Sequence, residues 1–300
     1  MKVAIAGSTG MVGTALVAYL KSKGHYVTAL KRTVGGPNAF QSVSPDYLED
    51  FDAVINLAGE NIAAKRWTEA QKKLIIDSRV STTTCLAKAL AQTKSAKVFL
   101  NASAVGIYGN RGSETINEDS ASGSGFLAST CKQWEEAAEQ AMRPGLRLVR
   151  MRIGVVISKN GGALSKMLLP FQLGGGGILG SGQQYMSWIS VHDIVRAIEF
   201  SMTNEKIAGA VNLTAPNPVT NAEFTRIMGK VLHRPTILPA PGFGLKLILG
   251  DMAQEMLLEG NKVIPDKLIA NGFKFEYQNL EAALLKEIRP AALEKVGAAE

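Results

Sequence analysis

The sequence predicts an α/β protein: a doubly wound parallel sheet with a smaller, mostly helical C-terminal lobe. Short apolar runs at 3–6, 52–59, 97–102 and 147–156 have the character of strands buried on both faces. Longer stretches with helical spacing separate them. The first run also leads directly into Gly7-Ser8-Thr9-Gly10-Met11-Val12-Gly13, a G-x-x-G-x-x-G turn that opens a helix.

That turn sets the expectation of a ligand. Glycines there let backbone N–H groups and the positive end of a helix approach a pyrophosphate that side chains would obstruct. Gly7, Ser8, Thr9, Gly10, Met11 and Val12 are therefore expected around a dinucleotide; without a ligand the same residues make a tight βα turn. Gly24 stops the helix and residues 25–30 read as the second strand. An NAD site commonly ends this strand with a carboxylate on the ribose 2′-OH, whereas a 2′-phosphate needs cations. Here stand Lys31 and Arg32, with no carboxylate before Asp46, and the expected cofactor is NADP(H).

Residues 33–51, rich in Gly, Pro, Ser and Asn, read as a loop with one short helix over 45–50. The next strand ends in Leu57, Ala58 and Gly59, which should flank the adenosine and ribose, with Glu60 starting the loop beyond. A long helix follows over 68–90, with a break expected near Asp77-Ser78. On it Arg79 is a candidate phosphate or ribose partner. Strand 97–102 should bring Asn101, Ala102 and Ser103 near the nicotinamide ribose, and Ser103-Ala-Val-Gly-Ile-Tyr108-Gly109 leads out of it. Residues 110–124 read as an exposed loop, 126–142 as a second long helix ended by Pro144-Gly145, and 147–156 as a strand. Gly154, Val155 and Val156 should face the carboxamide.

Periodicity changes after Val156. A glycine run at 174–177, a strand-like 186–191, a helix over 192–202 and a short strand over 210–213 follow, then helices and proline-rich loops. The expected division is a Rossmann-type dinucleotide domain over 1–156, rejoined by 186–213, and a substrate lobe from 157–185 and 214–300. Tyr108, Met167, Phe171, Gln183, Tyr185 and Trp188 are the expected substrate pocket, although Trp134 and Trp188 equally suit a core.

Composition narrows the function classes. A chain of 300 residues, 46% hydrophobic, can bury a large core. No apolar run is long enough to span a bilayer and the first strand begins at once, so a cytoplasmic protein with no membrane partner is expected. The net charge of +7 is spread along the chain without an aromatic-rich basic block, which argues against nucleic acid. Cys85 and Cys131 are too few for a disulfide framework, and His25, His192 and His233 lack metal-ligand spacing, so reduced thiols and no metal are expected. A monomer or homodimer acting on a small molecule is the expectation, and no G-x-S-x-G elbow points to a hydrolase.

The turn, Asn56-Leu-Ala-Gly59, SAVGIYG and WISVHDIVRAI at 188–198 resemble the extended short-chain dehydrogenase/reductase superfamily. Longer strings, NLAGENIAAKRWTEAQKKLIIDSRVSTT, KMLLPFQLGGGGILGSGQQYMSWI and the tail from Leu238, resemble its "epimerase family protein" branch, related to the NAD-dependent epimerase/dehydratases. The resemblance runs from Lys2 to about Ile288. It implies a doubly wound sheet holding NADP(H) under a small lobe. It also implies, in active members, a Tyr-x-x-x-Lys pair on the second long helix, helped by a Ser or Thr at the preceding strand end. The lysine lowers the tyrosine pKa and holds the ribose while hydride moves to or from the nicotinamide. Aligned through Trp134-Glu135, this chain has Leu127 for the tyrosine, Cys131 for the lysine and Ala104 for the Ser or Thr. Two readings stay open: catalysis by substitutes, with Tyr108, Ser103 and Lys132 as candidates, or an NADP(H)-binding sensor or regulatory protein that does no chemistry.

Overall fold

The computed structural model describes residues 1–31 and 43–289. The expectation for Arg32 falls outside them. Six strands form one parallel sheet: β1 (Lys2–Ala6), β2 (Tyr26–Leu30), β3 (Ala53–Asn56), β4 (Val98–Ala104), β5 (Arg147–Ile153) and β6 (Gly209–Leu213). Their order is β2-β1-β3-β4-β5-β6. The chain steps outward from β1 to β2 and then crosses back to β3, so strand order reverses between β1 and β3. A crevice at such a reversal, outside the carboxyl ends of the strands, is where doubly wound folds hold ligands.

Eight helices are labelled here: α1 (Met11–Ser22), α2 (Glu69–Leu90), α3 (Phe126–Glu139), α4 (Gly162–Gln172), α5 (Val191–Thr203), α6 (Asn221–Leu232), α7 (Gly242–Leu249) and α8 (Leu280–Ile288). The alternation of β1 assigns its two faces. Val3 and Ile5 join Leu16 and Leu20 of α1 and Ile194 and Ile198 of α5 in one core. Ala4 and Ala6 join Leu86 and Leu90 of α2 and Ala138 of α3 in the other. Burial on both faces is why these strands are almost wholly apolar. A four-residue helix, Pro45–Leu48, fills the place where one was expected.

Three expectations need correction. Helix α2 runs unbroken from its Thr68 cap to Leu90. Its serines do not break it, because the Ser78 and Ser81 hydroxyls donate to the Ile75 and Asp77 carbonyls one turn back. The run 147–156 is two strands: at Gly154, where a Cβ would lie 2.7 Å from the Ser187 carbonyl oxygen, the backbone leaves the sheet. Val155–Ile157 then pairs in parallel with Trp188–Ser190, so only β6 of the later chain rejoins the six strands. The 110–124 loop is pinned down. Its Thr115–Ile116 pairs with Lys262–Val263, burying Ile116 completely.

The second lobe has its own core of Trp188, Phe171, Phe224, Met228, Tyr277, Leu280 and Leu284. It reaches back at several places, of which two matter for the sheet and for α3. Glu255 accepts the N–H groups of Phe126 and Leu127 at 2.9 and 2.8 Å, capping α3, whose own N-cap is Gly125 and has no side chain to offer. Lys267 Nζ donates to the carbonyls of Ala208 and Ala210, and Glu118 Oε1 accepts the Asn212 N–H, so side chains occupy the outer edge of β6. Among the described residues no helix is long and apolar enough to cross a membrane.

Candidate functional site

At the reversal between β1 and β3 the backbone is shaped by glycines, two of which leave no room for a side chain. Gly7 has φ +81°, and a Cβ there would lie 2.6 Å from the Leu57 carbonyl carbon. A Cβ on Gly13 would overlap the Gly7 carbonyl oxygen, so this glycine lets α1 close against the turn. Gly10 differs: its nearest neighbour would be the Gly7 oxygen at 3.4 Å, which leaves its outer side open. Helix α1 starts there with no side-chain cap and no acidic residue in its first turn. Its leading N–H groups and positive end are thus left for an anion. Leu30 pairs opposite Ala6, which puts exposed Lys31 level with the start of the turn. Gly161 and Gly162 pack round Met11, and a Cβ on Gly162 would sit 3.6 Å from the Val156 oxygen, so residues 154–162 form the neighbouring wall.

Behind the crevice lies a closed polar network. Asn56 Nδ2 donates to Asn101 Oδ1 at 2.7 Å and to Thr83 Oγ1 at 2.9 Å, while Asn56 Oδ1 accepts the Ala58 N–H at 3.1 Å. Trp134 Nε1 donates to the same Thr83 hydroxyl at 2.9 Å. The Asn101 side chain, fully buried, therefore holds β3, β4 and α2 together and does not reach toward a ribose. Arg79 lies on this scaffold. Its guanidinium is 5.0 Å from the Trp134 ring centroid, donates to the Ile75 carbonyl at 3.0 Å, and would be 3.2 Å from a Cβ at Gly59. Glu60, expected at the start of the loop, has its N–H bonded to Ser78 Oγ at 3.0 Å.

The three catalytic candidates are engaged in internal hydrogen bonds. Tyr108 is fully buried; its hydroxyl donates to Asn212 Oδ1 at 2.7 Å and accepts from Arg152 Nη1 at 2.9 Å. Burial raises its pKa despite Arg152, which makes it a poorer acid than a free tyrosine. Ser103 donates to Glu135 Oε1 at 2.8 Å and is 2% exposed. Lys132 Nζ donates to the Gly123 carbonyl at 3.0 Å and props the loop before α3. The organising pair was not read from sequence. Glu135 and Arg152, both buried, meet through Nε–Oε1 at 2.9 Å and Nη2–Oε2 at 3.0 Å. Burial alone would lower the Arg152 pKa, and its bonds to Glu135 raise it instead.

The residues expected to line the substrate pocket fall in different surroundings. Trp188 is fully buried and Phe171 nearly so, both in the second-lobe core, where large rings bury much apolar surface. Met167 packs on the same core, Gln183 is exposed, and Tyr185 has Lys262 Nζ 5.6 Å from its ring centroid. A cavity of about 240 Å³ instead opens beside the start of α3, lined by Ser124, Gly125, Gln254, Glu255 and Glu259 among others. A larger one of about 600 Å³ lies at the amino ends of β5 and β6, away from the glycine turn. There Arg143 and Arg147 spend their donors on main-chain carbonyls of Leu90, Ala96, Ser201 and Met202.

This doubly wound sheet, with its glycine turn at the strand-order reversal, defines an α/β protein of the Rossmann type. The model of the NAD dependent epimerase/dehydratase family matches residues 3–213, and that of a domain of unknown function, DUF1731, matches residues 240–286. The chain belongs to the NAD dependent epimerase/dehydratase family. An epimerase family protein of Mycobacterium bovis is 43% identical over 289 residues, covering 94% of this chain and 96% of its own. The human epimerase family protein SDR39U1 is 38% identical over 295 residues, covering 96% and 99%. The crystal structure of human SDR39U1 with NADPH matches at a TM-score of 0.88 and 36% identity, over 96% of this chain and 99% of that one. A nucleoside-diphosphate sugar epimerase from Corynebacterium glutamicum matches at 0.80 and 32%, over 99% and 61%.

Proposed function

We propose that this protein binds NADP(H) in the crevice between β1 and β3 and is an oxidoreductase or epimerase-like enzyme with a non-standard site. The observation that carries the reading is the uncapped start of α1 above Gly7, Gly10 and Gly13, with Lys31 beside it. The structure of human SDR39U1 with NADPH supports the phosphate-bearing form of the cofactor. Gly7 to Val12 would receive the pyrophosphate, Lys31 and Arg32 the 2′-phosphate, and Leu57 to Gly59 the adenosine side. Ala102 and residues 154–156 would border the nicotinamide half. A bound nicotinamide would supply hydride transfer. The chain's own contribution is to hold it, to exclude water with the second lobe, and to leave proton exchange to groups other than a Tyr-x-x-x-Lys pair, since Leu127 and Cys131 stand there.

A second reading, a non-catalytic NADP(H) sensor, is favoured by the sealing of Tyr108 and Ser103 in internal hydrogen bonds. Calorimetric titration with NADPH and NADH tests the cofactor. A preference for NADPH of tenfold or more, about 1.4 kcal/mol, is expected, and equal affinities would sink it. Incubating the protein with NADPH and a panel of small aldehydes, ketones and sugars separates the readings. Consumption of reduced nicotinamide, or, with NADP+ and the sugars, a changed sugar configuration seen by NMR without net cofactor turnover, supports the enzyme; tight binding with neither across the panel supports the sensor.

A further inference from the structure

Arg79 is a cation in an unusual position. It is half-buried, burial pulls its pKa below the ordinary value, and among the described residues no carboxylate lies within ion-pair distance of it. The Glu60 carboxylate offsets that desolvation only in part, and a guanidinium left so is costly unless an anion or a ring of acceptors arrives to meet it. The fold nevertheless goes to some length to hold it there. Gly59 leaves room for it, the Ile75 carbonyl takes one of its N–H groups, and Trp134 is the shelf beneath it. That shelf is itself fixed by Thr83, and Thr83 by Asn56 and Asn101.

Trp134 and Cys131 are neighbours one turn apart on α3. The guanidinium carried by α2, 5.0 Å from the Trp134 ring centroid, accordingly lies beside the turn of α3 that also carries Cys131. Cys131 is where the resemblance set out above expects a lysine. Its thiol, buried against the Ala104 N–H and Ser103, is pushed up to about 11 and carries no charge of its own. The positive charge missing from α3 is present after all, delivered from α2.

We propose that Arg79 is the residue that holds the ribose and phosphate of the nicotinamide half of the dinucleotide, in place of a lysine at position 131. The assignment rests on the NADP(H) reading. It deepens that reading in one respect: a guanidinium stays protonated at any working pH, so it binds and orients but does not relay a proton.

The test is a charge swap read by calorimetry with NADPH and with 2′,5′-ADP, which contains only the adenosine half. R79Q should weaken NADPH binding tenfold or more and leave 2′,5′-ADP binding unchanged, and R79K should recover part of the loss. C131K alone should weaken NADPH binding by crowding two cations. In the R79Q background it should strengthen binding at least threefold over R79Q. Unfolding midpoints without ligand report whether each variant is folded; if C131K does not fold, R79Q and R79K with the two ligands still decide. An R79Q protein that binds NADPH like the wild type, or that loses both ligands equally, overturns the assignment, as does a folded R79Q/C131K protein no better than R79Q. A wild type that binds 2′,5′-ADP and NADPH not at all overturns the NADP(H) reading and this assignment with it.

Discussion

At the scale of single residues, the glycines and the buried tyrosine make opposite predictions. In G7A the new methyl group meets both a left-handed backbone, a cost of about 1–2 kcal/mol, and the Leu57 main chain. NADPH binding should weaken at least tenfold with a lowered unfolding midpoint, and an unchanged affinity would contradict the placement of the turn. In Y108F the Asn212 oxygen and one Arg152 donor lose their partner, costing about 1–3 kcal/mol in urea unfolding. NADPH affinity should not move, whereas a tyrosine that touched the cofactor would move it. E135Q should cost more, about 3–5 kcal/mol, because it strands the buried Arg152 charge. Gly7, Gly10 and Gly13 were legible in the sequence because their function is local. The burial of Tyr108 was not, since its partners Arg152 and Asn212 lie 44 and 104 residues away.

At the scale of elements, the strands were readable from apolar runs and α1 and α3 from spacing and punctuation. What sequence could not show was which run continues and which bends. The break expected in α2 failed because serine hydroxyls can satisfy helical carbonyls. The bend in 147–156 was missed because Gly154 responds to Ser187, a non-local neighbour. Glu255 at the start of α3 is a partner 128 residues distant, which no local pattern announces. The attachment of α8 carries a pH dependence. His192 Nε2 is 3.6 Å from Glu287 Oε1, and the neighbouring Glu287 carboxylate raises the imidazole pKa above 6.5. For Glu287 burial acts upward, but the adjacent His192 and the Lys159 N–H, donated to Oε2 at 2.9 Å, hold it below 4.5. The histidine's contribution is full below its unfolded pKa near 6.5 and fades as pH rises through the raised value. Glu287's is full above 4.5 and is lost as pH falls through its lowered value. The thermal midpoint should therefore decline from pH 6 to pH 8, and less so in H192N; parallel curves for the two proteins would count against the pair.

At the scale of the whole molecule, the edge of β6 decides how the sheet can end. An open edge is a template for another strand, and proteins that leave one exposed risk association through it. Here the Lys267 ammonium sits on two outward carbonyls and Glu118 on an outward N–H, so three of the hydrogen-bonding positions a visiting strand would use are already taken. K267A should expose those carbonyls and increase scattering or sedimentation of larger species on mild heating, with little change in NADPH affinity. A variant that stays as dispersed as the wild type would show that the lysine is dispensable there. The same lysine and glutamate bind the C-terminal lobe to the sheet. One pair of charges thus works both as a clasp between the two halves of the chain and as an obstacle on the sheet's flank, which an added strand would have to displace.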